Sequence, residues 1–141
     1  MAVYDAQLNN TARNTRQYTD LDLFFGKKSS NSDIQTLTDV QAVKRSIRNL
    51  VQLNTYEKPF HPEIAGDVRA LLFENMTPLT SAVIARKVQD VIENFEPRAR
   101  LTGVQAIPDF DRNAYEVTVY FYVVNAPTEL VEVDTLLERL R

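Results

Sequence analysis

Ala114-Tyr115-Glu116-Val117-Thr118-Val119-Tyr120-Phe121-Tyr122-Val123-Val124 alternates in character with a period of two. Tyr115, Val117, Val119, Phe121 and Val123 fall on one side, and Glu116, Thr118, Tyr120, Tyr122 and Val124 on the other. Successive strand residues point to opposite faces of a sheet, and most of these residues are β-branched or aromatic, so the segment reads as a strand. One wholly apolar face and one mixed face is the pattern of an antiparallel sheet covered by helices on one side only. The mixed face is left to water or to a partner.

The neighbouring segments fit that sheet. Pro108 to Asn113 supplies turn residues, and Arg98 to Ile107 reads as the preceding strand. Before it, Ile84, Val88, Val91, Ile92 and Phe95 lie on one helical face. That helix starts at Thr77-Pro78, with Thr77 or Thr80 as its cap, and must stop near Glu96 because Pro97 disfavours helical geometry in the residue before it. An earlier helix runs from Thr38, with Val40, Val43, Ile47, Leu50 and Val51 on one stripe and Thr38 and Gln41 spaced as a capping box. Tyr56 to Pro62 is a loop stiffened by Pro59 and Pro62, leading to a short helix through Val68, Leu71 and Leu72. Leu21-Asp22-Leu23-Phe24-Phe25 alternates as a strand that the turn residues Gly26 to Asp33 bring to an end.

The last segment, Glu129 to Arg141, fits a helix through Leu130, Val133, Leu137 and Leu140, or a strand through Val131, Val133, Thr135 and Leu137. Its β-branched start favours the strand. The expected fold is therefore α+β: about three helices packed on one face of a small antiparallel sheet, with the C-terminal strand available for sheet extension. Residues 1–19 are rich in Asn and Thr and read as a polar arm, and residues 20–141 as a single domain.

Composition mainly excludes chemistry. The 141 residues contain no cysteine, which rules out disulfides, thiolate metal sites and a cysteine nucleophile. A single histidine, His61, cannot build a multi-histidine metal centre, and none of the five serines sits in a nucleophile-elbow pattern. The three glycines, Gly26, Gly66 and Gly103, are too far apart for a phosphate-cradling loop. A net charge of −3 lacks the positive footprint of a nucleic-acid binder, and no run approaches the roughly 18 apolar residues that cross a bilayer. The expectation is no cofactor, no nucleic acid and no membrane. Glu57, Glu63, Asp67 and Glu74 crowd one region and could in principle supply a hydrolytic carboxylate pair, but they read more simply as solvated acids. Lys44, Arg45 and Arg48 are a solvated helix face or a protein contact.

One junction resists a bland reading. In Phe95-Glu96-Pro97-Arg98-Ala99-Arg100 a helix end, a proline break and a strand start meet, and the proline holds a carboxylate and a guanidinium on restricted backbone. Such a corner could offer Glu96 and Arg98 to a partner at low entropic cost.

The order of four motifs resembles the baseplate wedge family of contractile phage tails, which has relatives in type VI secretion baseplates and other contractile injection systems. The motifs are Arg45 to Leu50, Lys58-Pro59-Phe60-His61-Pro62-Glu63, Leu71 to Thr80 and Glu96-Pro97-Arg98, and the resemblance runs from about Asp20 to the C-terminus. It implies a structural protein of the virion tail baseplate, made in the host cytoplasm and present in multiple copies in a hexameric baseplate. It further implies that Glu96, Pro97 and Arg98 contact the helical core bundle formed by other wedge proteins. The sheet would template the first ring of tail-sheath subunits by strand addition, through Tyr120, Tyr122, Leu130, Val131, Val133, Leu137 and Arg139. Some family members carry a lysozyme label, so a peptidoglycan hydrolase is the alternative. On the structural reading, Arg98→Ala removes a partner contact and leaves the domain folded.

Overall fold

The computed structural model describes residues 18–139; the polar arm up to residue 17, and Leu140 and Arg141, lie outside the described residues. Its elements run β1 (Thr19–Leu21), β2 (Thr36–Thr38), α1 (Asp39–Gln52), α2 (Val68–Leu71), α3 (Pro78–Phe95), β3 (Ala99–Asp109), β4 (Ala114–Val123) and β5 (Ala126–Glu138). β3, β4 and β5 form an antiparallel sheet in that order, and β1 and β2 form a separate antiparallel pair.

The alternating segment is the central strand, β4, as its pattern requires. Tyr115, Val117, Val119, Phe121 and Val123 are all buried, joined by Val131, Val133 and Leu137 of β5. Against them pack Val43, Ile47 and Val51 of α1 and Ile84, Val88 and Ile92 of α3, which makes one continuous core. β3 completes the layer with Leu101 and Val104; a bulge between Leu101 and Gly103 absorbs the odd spacing, so that both face inward. The C-terminal segment is a strand, and its buried residues alternate at positions 131, 133, 135 and 137.

Helix boundaries follow local chemistry. Thr77 rather than Thr80 caps α3: its Oγ1 accepts from the Thr80 amide at 3.1 Å, and the Thr80 hydroxyl donates to the Asn75 carbonyl instead. Pro78 occupies the first turn, and Glu96, pushed out of helical geometry by Pro97, ends the helix with φ −124° and ψ 77°.

Two expectations fail at the N-terminal end. The capping box from Thr38 to Gln41 does not form, because Thr38 pairs with Thr19 in the small sheet and its side chain makes no cap hydrogen bond. Tyr18 ties down the helix start instead, its amide donating to Asp39 Oδ1 at 3.0 Å and its carbonyl accepting from the Asp39 amide at 2.8 Å. The run Leu21 to Phe25 is not a strand beyond Leu21. Asp22 bends the chain, its Oδ1 accepting from the Phe24 amide at 3.2 Å and its carbonyl from the Phe25 amide at 2.9 Å. The apolar side chains of that run are consequently exposed: Leu21, Leu23, Phe24 and Phe25.

Candidate partner-binding surfaces

The Glu96-Pro97-Arg98 junction lies at the end of α3, beneath the β1–β2 pair. Pro97 turns the chain so that Arg98 folds back on Glu96, two residues away. Arg98 Nε donates to Glu96 Oε1 at 2.7 Å and Nη2 to Oε2 at 2.9 Å, a bidentate pair. Arg98 Nη1 reaches both carboxylate oxygens of Asp20 on β1 at 3.0 Å. The guanidinium also lies 5.6 Å from the centre of the Tyr18 ring. Glu96 is only 2% exposed. Burial works to raise its pKa, but the hydrogen bonds from Arg98 and Ser46 and the charge of Arg98 outweigh it, and the net shift is downward. The Arg98 pKa is raised, chiefly by the bond to Glu96, against desolvation and with help from Asp20.

Glu96 and Arg98 thus satisfy each other and Asp20 rather than standing open for a partner. Sequence reasoning missed Asp20, because nothing local links residues 78 positions apart. What this knot displays is the hairpin it anchors. Leu21 is 57% exposed, Leu23 55%, Phe24 77% and Phe25 67%, a cluster in sequence of large exposed apolar side chains interrupted by the buried Asp22. Arg45 of α1 steadies it, stacking 4.1 Å from the centre of the Phe24 ring and pairing with Asp22 at 3.7 Å.

The second surface is the sheet. Among the described residues its order leaves β5 with one unpaired edge, while β4 is paired on both sides. Tyr120 and Tyr122 therefore line the open outer face, not an edge. The hydrogen-bonding parity of β5 follows from its end. The Arg139 amide donates to the Asn113 carbonyl at 3.4 Å, and the register from Ala114↔Glu138 to Tyr122↔Leu130 is unbroken. Antiparallel pairs alternate between bonded and non-bonded, so Leu137, Thr135, Val133 and Val131 spend their main-chain groups on β4. Leu130, Glu132, Asp134, Leu136 and Glu138 turn theirs to the free edge. Of the edge residues expected from the sequence, Val131, Val133 and Leu137 face the core with side chain and point inward with main chain, and Leu130 alone lies outward with both. Arg139 stacks over Phe73 beyond α2, 5.3 Å from its ring centre. The outward carbonyl of Asp134 accepts from Arg48 Nη2 of α1 at 3.3 Å. Arg45 and Arg48 are contacts between elements, then, not merely a solvated face.

Three of the four crowded carboxylates, Glu57, Glu63 and Asp67, are loop ties. Glu57 accepts from the Asn54 amide at 2.8 Å and from its side chain at 2.7 Å. Asp67 accepts from the amide and hydroxyl of Thr55. Glu63 pairs with His61 Nδ1 at 3.1 Å. The hydrogen bonds of Asn54, of Thr55, and of the Glu63 backbone and His61 hold the Glu57, Asp67 and Glu63 pKa values respectively below the usual carboxylate range. Among the described residues no group of three or more His, Asp or Glu side chains is placed to hold a metal.

The family model for the baseplate wedge protein gp25 matches residues 38–127, which span α1 to the start of β5. This chain belongs to that family of baseplate wedge proteins. It is 30% identical over 116 residues to baseplate wedge protein gp25 of Enterobacteria phage T4, a match covering 82% of this chain and 87% of the T4 protein. Among solved structures, a chain of the anti-feeding prophage baseplate shares the fold with a TM-score of 0.61 at 20% identity, over 89% of this wedge protein and 88% of that chain. A Geobacter sulfurreducens protein described as a candidate tail lysozyme shares it with a TM-score of 0.64 at 18% identity, over 70% of this chain and 89% of its own. The resemblance read from the four motifs is thereby borne out, and a baseplate wedge protein has its place in the tail baseplate.

Proposed function

We propose that this wedge protein is a structural adaptor with two docking surfaces. The hairpin anchored by Glu96, Pro97 and Arg98 seats on the helical core of the wedge, and the β5 edge takes a strand of the first ring of tail-sheath subunits. The observation that carries the second role is the parity of β5, which turns the main-chain groups of five alternate residues outward along one edge. Strand addition draws affinity from such groups, and a long unpaired edge is otherwise a liability for aggregation. The first role is supported by the apolar run Leu21, Leu23, Phe24 and Phe25 beside the corner. Apolar side chains on a rigid hairpin fit a helical groove, with the buried ion pair as their foundation.

Leu136→Pro tests the edge. Its amide faces outward, so proline removes no internal hydrogen bond while denying the incoming strand a donor. Tails carrying this variant should retain complete wedges yet lack polymerised sheath by electron microscopy; normal sheaths would end the strand-addition reading. Leu23→Asp with Phe25→Asp tests the hairpin. Both side chains are more than half exposed, so the chain should stay folded while its incorporation into wedges falls on the order of tenfold or more. Unchanged incorporation would remove this patch from the wedge contact.

The hydrolase alternative finds less support. A glycosidase acid needs a pKa raised towards neutrality, and Glu57, Glu63 and Asp67 are all shifted the other way by the bonds that tie their loop.

A further inference from the structure

The outward residues of β5 also share a face. Side chains of Leu130, Glu132, Asp134, Leu136 and Glu138 project to the open side of the sheet, opposite the buried row. Three of the five are acids. Across the strand pair Glu132 faces Tyr120, Asp134 faces Thr118 and Glu138 faces Ala114, so no cation answers them from β4. Among the described residues none of the three takes part in an ion pair. Independently, the chain's own guanidinium is already seated on this edge: Arg48 reaches from α1 to the Asp134 carbonyl, the middle of the five outward positions.

We propose that the β5 edge selects a strand bearing basic side chains at alternate positions, and that Arg48 holds the central carbonyl until such a strand arrives. This rests on the strand-addition reading above and specifies the chemistry of the occupant. An added strand places alternate residues on the same face as the outward row, whichever way it runs. Those beside Glu132, Asp134 and Glu138 meet unneutralised carboxylates, and opposite charges in such positions attract while like charges repel. The intervening residues continue the apolar face of Val131, Val133 and Leu137. The occupant therefore alternates basic and apolar residues.

The same acids disfavour a second copy of this chain. Antiparallel pairing of two β5 edges centred on Asp134 sets that carboxylate against itself, and pairing centred on Thr135 sets Glu132 against Glu138. Arg48 adds a second guard, because its bond to Asp134 interrupts the run of free acceptors at its midpoint. An incoming amide replaces that bond, and the freed guanidinium remains beside the acidic row.

The test uses the full chain and two nine-residue peptides, one alternating valine with lysine and one alternating valine with glutamate. Amide hydrogen exchange of Leu130, Glu132, Leu136 and Glu138 reports strand addition, because these amides point away from β4 and no described strand pairs with that edge. The lysine peptide should protect them and bind on the order of tenfold or more tightly than the glutamate peptide. The preference should shrink as salt is raised and vanish in the Glu132→Gln, Asp134→Asn, Glu138→Gln variant. Arg48→Met, which keeps the aliphatic stem, should strengthen binding of the lysine peptide by freeing the Asp134 carbonyl. Equal protection by both peptides overturns the charge selection while leaving strand addition standing. Protection by neither, together with normal sheaths in the Leu136→Pro tails, overturns strand addition itself. A wild-type chain that dimerises, and that Leu136→Pro makes monomeric, identifies a second copy as the occupant and overturns the proposal.

Discussion

Replacing Arg98 with alanine should destabilise the folded chain by about 3–5 kcal/mol, the cost of stripping one partner from a buried ion pair. Glu96 is 2% exposed and gives both carboxylate oxygens to the Arg98 guanidinium, so the variant leaves a desolvated carboxylate supported by Ser46 and by the amide of residue 98, which donates to Oε1 at 3.4 Å. The bond from Arg98 to Asp20 adds less, since the Asp20 side chain is 36% exposed and exposed pairs contribute roughly 0–1 kcal/mol. Urea unfolding of the isolated chain measures the loss. A deficit below about 1 kcal/mol would show that the corner is not held by this pair.

The pH dependence of the loss has a definite sign. The folded pKa of Glu96 lies below its unfolded value, so its contribution is fully present above the ordinary carboxylate range and fades as pH falls through the folded value. In Arg98→Ala the upward push of burial is opposed only by Ser46 and the amide of residue 98, and Glu96 takes up its proton on acidification more readily. The gap between wild type and variant should therefore narrow from neutral pH to about pH 4. Glu96→Gln added to Arg98→Ala should recover part of the neutral-pH loss by removing the unpaired charge. A gap independent of pH would assign the effect to lost packing.

This outcome revises what the motif alone suggests. From the sequence, Arg98→Ala looks like a clean test of a partner contact, with the domain left folded. With Glu96 buried against Arg98, loss of tails in that variant would report folding and docking together. The exposed pair Leu23 and Phe25 separates them.

What could be read locally was read correctly. The β4 pattern, the α3 stripe and the proline stop at Glu96 each depend on residues within a few positions, and each stands in the structure. The departures arise where a partner outside the local motif, or a side-chain turn such as that at Asp22, decides the backbone. Thr38 does stand at the N-cap position, but it is also the strand neighbour of Thr19 and its side chain makes no cap hydrogen bond. Leu21 to Phe25 look like a strand until Asp22 turns the chain and the Asp22 amide binds the Gln35 carbonyl at 2.9 Å. Around Glu96 and Arg98 the sequence does not show Asp20 and Ser46, which bond to them in the folded chain. The edge of β5 is subtler. Sequence alternation reveals which side chains are buried, but main-chain direction depends on register with β4, which Asn113 and Arg139 set at the turn end. Of the edge residues the resemblance implies, Val131, Val133 and Leu137 are consequently those whose main chains are engaged with β4.

That parity makes an opposed pair of expected results. Val133→Pro should cost at least about 3 kcal/mol, because its amide bonds to β4 and a proline there removes a ladder hydrogen bond inside the sheet. The Val133 side chain is also 2% exposed and packs in the core, so replacing it adds a packing loss of about 0.5–1.5 kcal/mol. Leu136→Pro lies three residues further along the same strand and should change stability by less than about 1 kcal/mol, since its amide points away from β4 and its side chain is partly exposed. Chemical denaturation of the two variants decides the matter without any partner. If Leu136→Pro were the damaging one, β5 would carry the opposite parity, and Val131, Val133 and Leu137 would hold the outward main-chain groups. Strand addition would then meet a different edge, with its free groups on residues whose side chains face the core. The acids at 132, 134 and 138 would keep their place on the outer face but lose their direct pairing with the added strand. The two proline variants therefore test, in the isolated chain, the geometry on which both docking and charge selection at this edge depend.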